Sequence, residues 1–179
     1  MNGRFIPTLL SASRIAFAPF VVAAILDRDH SRALALLMVA GSTDFFDGYL
    51  ARRYDWKTRA GAWTDAVADK GLLSAVFISL AISGAAPAWL VYLIFGRDLL
   101  ILLMAVIGLL FTPIRDFPPS LWGKLSTNVQ IMTALACLLP FEAARTVLIY
   151  VCTATTTFSG GHYFYSALKR LRGLRRAAN

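Results

Sequence analysis

Six stretches of mostly apolar residues, joined by short connections, restrict this chain more than any other feature. They cover residues 7–26, 33–51, 60–83, 88–111, 121–140 and 143–168. About twenty apolar residues rising ~1.5 Å each match the ~30 Å hydrocarbon core of a bilayer. Backbone placed there must satisfy its own polar groups, and a helix does so within one segment. The six segments leave little of the 179 residues for anything else. The expected fold is all-α: a polytopic six-transmembrane-helix bundle forming a single membrane domain over residues 1–179. Its 58% hydrophobic and 16% charged residues, with mean hydropathy +0.62, agree with that class and argue against a soluble domain.

Basic residues orient the bundle. With both termini cytoplasmic, the inner side collects Arg4, Arg52, Arg53, Lys57, Arg59, Arg115, Lys124, Lys169, Arg170, Arg172, Arg175 and Arg176, and the outer side keeps Arg28, Arg32 and Arg145. That asymmetry is the positive-inside pattern. The net charge of +8 is then mostly a cytoplasmic rim that attracts anionic lipid head groups. No basic stripe lies on a soluble domain, so nucleic acid is not an expected partner. The first apolar stretch lacks a small-residue cleavage site and reads as a retained helix. Cys137 and Cys152 both fall inside spans and read as small buried hydrophobes, not as a disulfide. His30 is expected in a solvated outer loop, His162 as a packed and hydrogen-bonded residue. The basic run 169–179 is expected to fray.

Five of the ten acidic residues, Asp44, Asp47, Asp65, Asp69 and Asp98, lie inside these apolar segments. A carboxylate at membrane depth costs about 2.5–3.5 kcal/mol on insertion scales and is read first as functional. Four of the five form an array. Asp44 and Asp47 are three apart near the inner end of the second stretch, and Asp65 and Asp69 are four apart near the inner start of the third. Both spacings place a pair on one helix face. At ~1.5 Å per residue, Asp44 lies about 12 Å from Arg52, and Asp65 and Asp69 lie about 9 and 15 Å from Arg59. A short connection makes the two helices antiparallel, so the carboxylates can converge at one level, in a cavity open to the cytoplasm. Hard divalent cations such as Mg²⁺ or Mn²⁺ prefer such oxygen ligands. Gly48, Ala51 and Gly61 remove side chains beside the array; close helix packing and a ligand approaching the backbone both explain them.

The run Asp44-Phe-Phe-Asp47-Gly48-Tyr-Leu-Ala51-Arg52, eight further residues, then Gly61-Ala-Trp-Thr-Asp65-Ala-Val-Ala-Asp69 resembles the signature of the CDP-alcohol phosphotransferases. Eight positions over 26 residues are filled at the family spacing. The stretch from Pro7 to Arg14 is similar to the family's first helix, with Thr8 where Asn is common. Ala66 stands where glycerol-type members often carry Pro. Gly96-Arg97-Asp98 and the stretch from Pro119 to Gln130 resemble the CMP-forming cardiolipin synthases, with related stretches in phosphatidylglycerophosphate synthases.

The resemblance implies a transferase that binds two divalent metals and a CDP-linked lipid, with an acceptor hydroxyl displacing CMP. Asp44, Asp47, Asp65 and Asp69 are then metal ligands and Asp69 is also the general base. Gly48, Ala51, Arg52 and Gly61 match nucleotide-binding positions. Arg14 reaches phosphate or only the interface, and Arg52 either forks onto phosphate or marks the inner boundary. Arg97 binds the acceptor or belongs to a structural ion pair; being adjacent to Asp98, the two point to different helix sides and each needs a partner elsewhere. Lys124 meets an acceptor phosphate or snorkels at the boundary. The implied reaction joins CDP-diacylglycerol to phosphatidylglycerol, giving cardiolipin, or to glycerol 3-phosphate, giving phosphatidylglycerophosphate. The family also implies a homodimer, in a bacterial or mitochondrial inner membrane. An intramembrane cation channel or transporter is the rival use of buried aspartates.

Overall fold

Each of the six apolar stretches is a helix in the computed structural model, which describes the backbone of residues 6–53, 59–111 and 121–177 and the side chains of 16–42, 70–104, 106, 121–166 and 169. The helices are α1 (Ile6–Leu26), α2 (His30–Arg53), α3 (Arg59–Ile82), α4 (Ala88–Phe111), α5 (Leu121–Leu138) and α6 (Glu142–Ala177). No strand occurs among the described residues.

Local chemistry explains where the helices stop. After α1 the amide of Asp29 donates to the carbonyl of Ala24 at 3.0 Å and that of Arg28 to Ile25 at 3.1 Å, with Arg28 at φ 59°. This left-handed closure satisfies the orphan carbonyls of the last turn. The same closure ends α3: the amide of Ala85 donates to Leu80 at 2.9 Å and that of Gly84 to Ala81 at 3.2 Å, with Gly84 at φ 81°. There glycine supplies the positive φ without steric cost. Asp29 also starts α2, its Oδ1 accepting from the amide of Arg32 at 3.0 Å as an N-cap does. α5 stops at Leu138, short of the expected 140, because residue 140 is a proline and its predecessor avoids helical backbone.

Two boundaries correct the sequence reading. The basic run expected to fray from residue 169 continues α6 as helix to Ala177. Leu, Lys, Arg and Ala are all strong helix formers, and only Gly173 opposes them there. His30 opens α2 and is half-buried, not solvated; its Nδ1 is buried with no hydrogen-bond partner.

The chain packs as two compact units. In the first, Met1–Ala86 with Cys137–Pro140, α1 packs against both α2 and α3. Its core is Val21, Ala24 and Ile25 of α1, Ala33 and Ala40 of α2, and Val76, Phe77 and Leu80 of α3. Small residues let the helices approach, and Phe77 and Ile25 fill the larger spaces. Ser79, buried among them, donates its hydroxyl back to the carbonyl of Ala75 at 2.6 Å, so its own polar atom is paired. In the second unit, Pro87–Ala136 with Phe141–Asn179, α4 packs against α6, and Leu90, Ile94, Ala134 and Cys152 are buried. Cys137 and Cys152 are buried and are not joined in a disulfide, as expected.

The second unit has an inverted polarity. Ser126, Gln130 and Thr133 of α5 and Thr156 and Ser159 of α6 are buried, while Trp89, Leu99, Leu102, Val147, Tyr150 and Phe158 are exposed, and Tyr92 is 77% exposed. On α4 these exposed residues recur at helical spacing along one side. Among the described residues, no helix is long and apolar enough to cross a membrane.

Candidate active site

The acidic array falls on two helices of the first unit. Asp44 and Asp47, with Gly48, Ala51 and Arg52, belong to α2; Asp65 and Asp69, with Gly61, belong to α3; Arg14 belongs to α1. The helical backbone keeps each Asp pair on one face, as the spacing requires. α1 packs against both acidic helices, so the element carrying Arg14 runs beside both. The side chains of all nine residues lie outside the described ones. A donor set of four carboxylates on two helices suits hard divalent cations. Among the described residues, no group of three or more His, Cys, Asp or Glu is placed to hold a metal ion.

The second unit holds Arg97. Its Nη1 donates to Oδ1 of Asp98 at 2.6 Å and its Nη2 to the Ser159 hydroxyl at 2.9 Å. The Arg97 side chain is 8% exposed and that of Asp98 26%. This corrects the view that adjacent residues must look for partners elsewhere. The long Arg side chain folds back along its own helix to the neighbouring carboxylate, and α6 supplies the second acceptor. Nε of Arg97 is buried without a partner. A Cβ added at Gly160 would meet Cγ of Arg97 at 3.5 Å, so this glycine sits against the arginine's aliphatic stem.

That contact makes a prediction. Gly160→Ala gains about 1 kcal/mol of helix propensity and only an ordinary van der Waals contact. Gly160→Leu overfills the space against Arg97, at a cost of about 1–3 kcal/mol. Thermal melting in micelles should rise for alanine and fall for leucine.

A buried polar seam joins α5 to α6. The hydroxyls of Ser126 and Thr156 lie 3.3 Å apart, and Nε2 of Gln130 donates to Thr156 at 3.4 Å. The Thr133 hydroxyl lies 3.2 Å from the Leu148 carbonyl, and Sγ of Cys152 lies 3.9 Å from Thr156. At the other end of the seam, Trp122 and Phe158 meet edge to face at 4.7 Å. Hydrogen bonds between helices supply specificity where apolar contacts alone do not distinguish one register from another. The sequence reading missed Ser159 and this seam. Their signal is the spacing i, i+4, i+7, shown by Ser126, Gln130 and Thr133 on α5 and by Cys152, Thr156 and Ser159 on α6.

Lys124, near the start of α5, is exposed and makes no ion pair among the described residues. His162 is half-buried and meets Tyr163 edge to face, with ring centroids 6.5 Å apart. Its Nδ1 is buried without a hydrogen-bond partner, so the expected packing is found and the expected hydrogen bond is absent at that atom.

The family model for CDP-alcohol phosphatidyltransferases matches residues 4–158 of this chain. The chain is 31% identical to the CMP-forming cardiolipin synthase of Rattus norvegicus over 185 residues, covering 89% of this chain and 60% of the rat protein. It is 35% identical to a probable phosphatidylglycerophosphate synthase of Mycobacterium tuberculosis over 154 residues, covering 82% of this chain and 71% of that protein. It is also 35% identical to a CDP-diacylglycerol–glycerol-3-phosphate 3-phosphatidyltransferase of Bacillus subtilis, covering 78% of this chain and 77% of that one.

Proposed function

The chain belongs to the CDP-alcohol phosphatidyltransferase family, and on that premise we propose that it transfers the phosphatidyl group of CDP-diacylglycerol to a glycerol-type hydroxyl and releases CMP. The observation that carries this reading is the acidic array. Asp44 and Asp47 on α2 and Asp65 and Asp69 on α3 stand at the family spacing, inside the matched residues. Family membership sets aside the channel or transporter reading of those aspartates.

In this proposal Asp44, Asp47, Asp65 and Asp69 hold two divalent ions, Mg²⁺ or Mn²⁺. When bound, the ions neutralise the diphosphate and stabilise charge on departing CMP. Asp69 takes the proton of the acceptor hydroxyl, at about 2.6–3.2 Å or through one water. The acceptor oxygen bonds to the phosphorus carrying the diacylglycerol, and the bond from that phosphorus to the CMP oxygen breaks. Gly48, Ala51 and Gly61 leave room for the nucleotide, and Arg52 and Arg14 pair with its phosphates.

The proposed setting is a bilayer, with one six-helix domain, both termini cytoplasmic and the site open to that side. Supporting it are the six apolar stretches, the distribution of basic residues and the exposed apolar side chains around a buried polar seam. A homodimer in a bacterial or mitochondrial inner membrane is carried over from the resemblance. The first-choice acceptor is phosphatidylglycerol, giving cardiolipin, and the second is glycerol 3-phosphate. The first rests on Gly96-Arg97-Asp98, the stretch from Pro119 to Gln130 and the aromatic last helix, which resemble the cardiolipin synthases. A transfer assay with labelled CDP-diacylglycerol, Mg²⁺ and both acceptors, with products separated by lipid class, tests the choice. Product from glycerol 3-phosphate and none from phosphatidylglycerol would reverse it.

Lys124 and Arg97 are proposed to bind the acceptor. Lys124 is exposed and so is open to a phosphate. Arg97 already donates to Asp98 and Ser159, so its part includes holding α4 to α6. Losing one charge-assisted contact costs roughly 1.5–3 kcal/mol, about 10- to 150-fold. Lys124→Ala should therefore raise KM for the acceptor by about that factor and leave KM for CDP-diacylglycerol nearly unchanged. Arg97→Ala should change acceptor use and also lower the melting temperature. Unchanged acceptor kinetics in both variants would remove the assignment.

A further inference from the structure

The family match ends at residue 158, yet α6 continues as one helix from Glu142 to Ala177. Its 36 residues, at ~1.5 Å each, make a rod of about 54 Å against a hydrocarbon core of ~30 Å. A helix of that length that starts at one head-group layer runs well past the other. The overshoot carries Lys169, Arg170, Arg172, Arg175 and Arg176, with no acidic residue between 143 and 179. At 100° per residue, Lys169, Arg172 and Arg176 fall on one side of the helix, Leu168, Leu171 and Leu174 fall on another with Arg175 among them, and Arg170 lies between the two sides. Lys169 is exposed. Fraying, the behaviour expected from the sequence, would have scattered these positions. The continuous helix gathers them into a fixed register.

We propose that this basic end of α6, residues 169–176, binds an anionic phospholipid surface. It uses the phosphates and anionic head groups of that surface. The partner is identified by charge complementarity. Five cations with no acidic residue among them, on one continuous helix, have the charge of a segment that meets an anionic bilayer boundary. A purely zwitterionic surface offers no net charge to such a helix. The inference rests on the membrane setting proposed above, but not on the catalytic reading, because the segment lies outside the matched residues and away from the acidic array in sequence.

The test uses the full chain reconstituted in nanodiscs of phosphatidylcholine alone or with about one third phosphatidylserine, an anionic lipid that is neither proposed acceptor. Trypsin cuts after Lys and Arg, so mass spectrometry of released peptides reads the accessibility of residues 169–176. Cleavage there should be about tenfold or more slower in the anionic discs, and the difference should vanish in roughly 1 M salt, where the Debye length is about 3 Å. The variant Lys169→Gln/Arg172→Gln/Arg176→Gln keeps trypsin sites at Arg170 and Arg175. It should be cut at the same rate in both discs. Equal cleavage of the native chain in the two lipids overturns the inference, including equal protection, which would point to contacts with protein. CMP release measured on the same discs separates the readings. Release with equal cleavage leaves the transferase standing and removes only the lipid-binding helix. A chain that does not enter the discs removes the membrane setting and this inference together.

Discussion

Asp69→Asn should lower kcat by about 10²- to 10⁴-fold, the usual contribution of a positioned general base. Asparagine has nearly the same shape and keeps a carbonyl oxygen, so the loss falls on charge and basicity and not on volume. Asp69 lies ahead of the buried core of α3, which is built from Val76, Phe77 and Leu80. The bundle should therefore melt within a few degrees of the native protein. KM for CDP-diacylglycerol should change much less than kcat. Asp65→Asn provides the contrast: as a metal position only, it should lose activity that raised Mg²⁺ partly restores. CMP release under saturating substrates, with melting curves on the same preparations, checks both variants. If Asp69→Asn kept more than about a tenth of kcat, another group would be the base.

Excess EDTA should abolish CMP release, and added Mg²⁺ or Mn²⁺ should restore it. Four carboxylates on two helices are mutually repulsive. Two unit charges 4 Å apart repel by about 4 kcal/mol at an effective dielectric of 20, so the array favours a state with bound cations. Their removal would also leave the diphosphate facing carboxylates with no charge to offset it. The loss should be near complete and reversible, and it should not unfold the second unit, whose buried seam contains no carboxylate. That seam runs through Ser126, Gln130, Thr133 and Thr156. Full activity in excess chelator would contradict the proposed mechanism.

Little of the helix plan needed the tertiary structure. The sequence reading placed 88–111 where α4 runs from Ala88 to Phe111, and 7–26 where α1 runs from Ile6 to Leu26. Long apolar segments are read reliably because backbone hydrogen bonding leaves them few alternatives to a helix. The acidic array was legible for a related reason. Charges in apolar segments are costly, so their positions carry information that neighbouring leucines do not. Spacings of three and four translate directly into helix faces.

What the sequence by itself determined is thus the six helices, the Asp positions on α2 and α3, and the family. Each of these depends on one segment's composition or on residues close in sequence. The contact of Arg97 with Ser159 and the seam between α5 and α6 were decided only by tertiary structure. Arg97 meets Ser159, 62 residues away, and Gln130 meets Thr156, 26 residues away. Such contacts depend on how two helices rotate and slide against each other, and hydrophobic composition leaves that choice open. The persistence of α6 to Ala177, where fraying is expected of a basic run, has a local cause. Like charges on adjacent turns repel weakly across water, whereas each residue's helix propensity and backbone hydrogen bond add along the run.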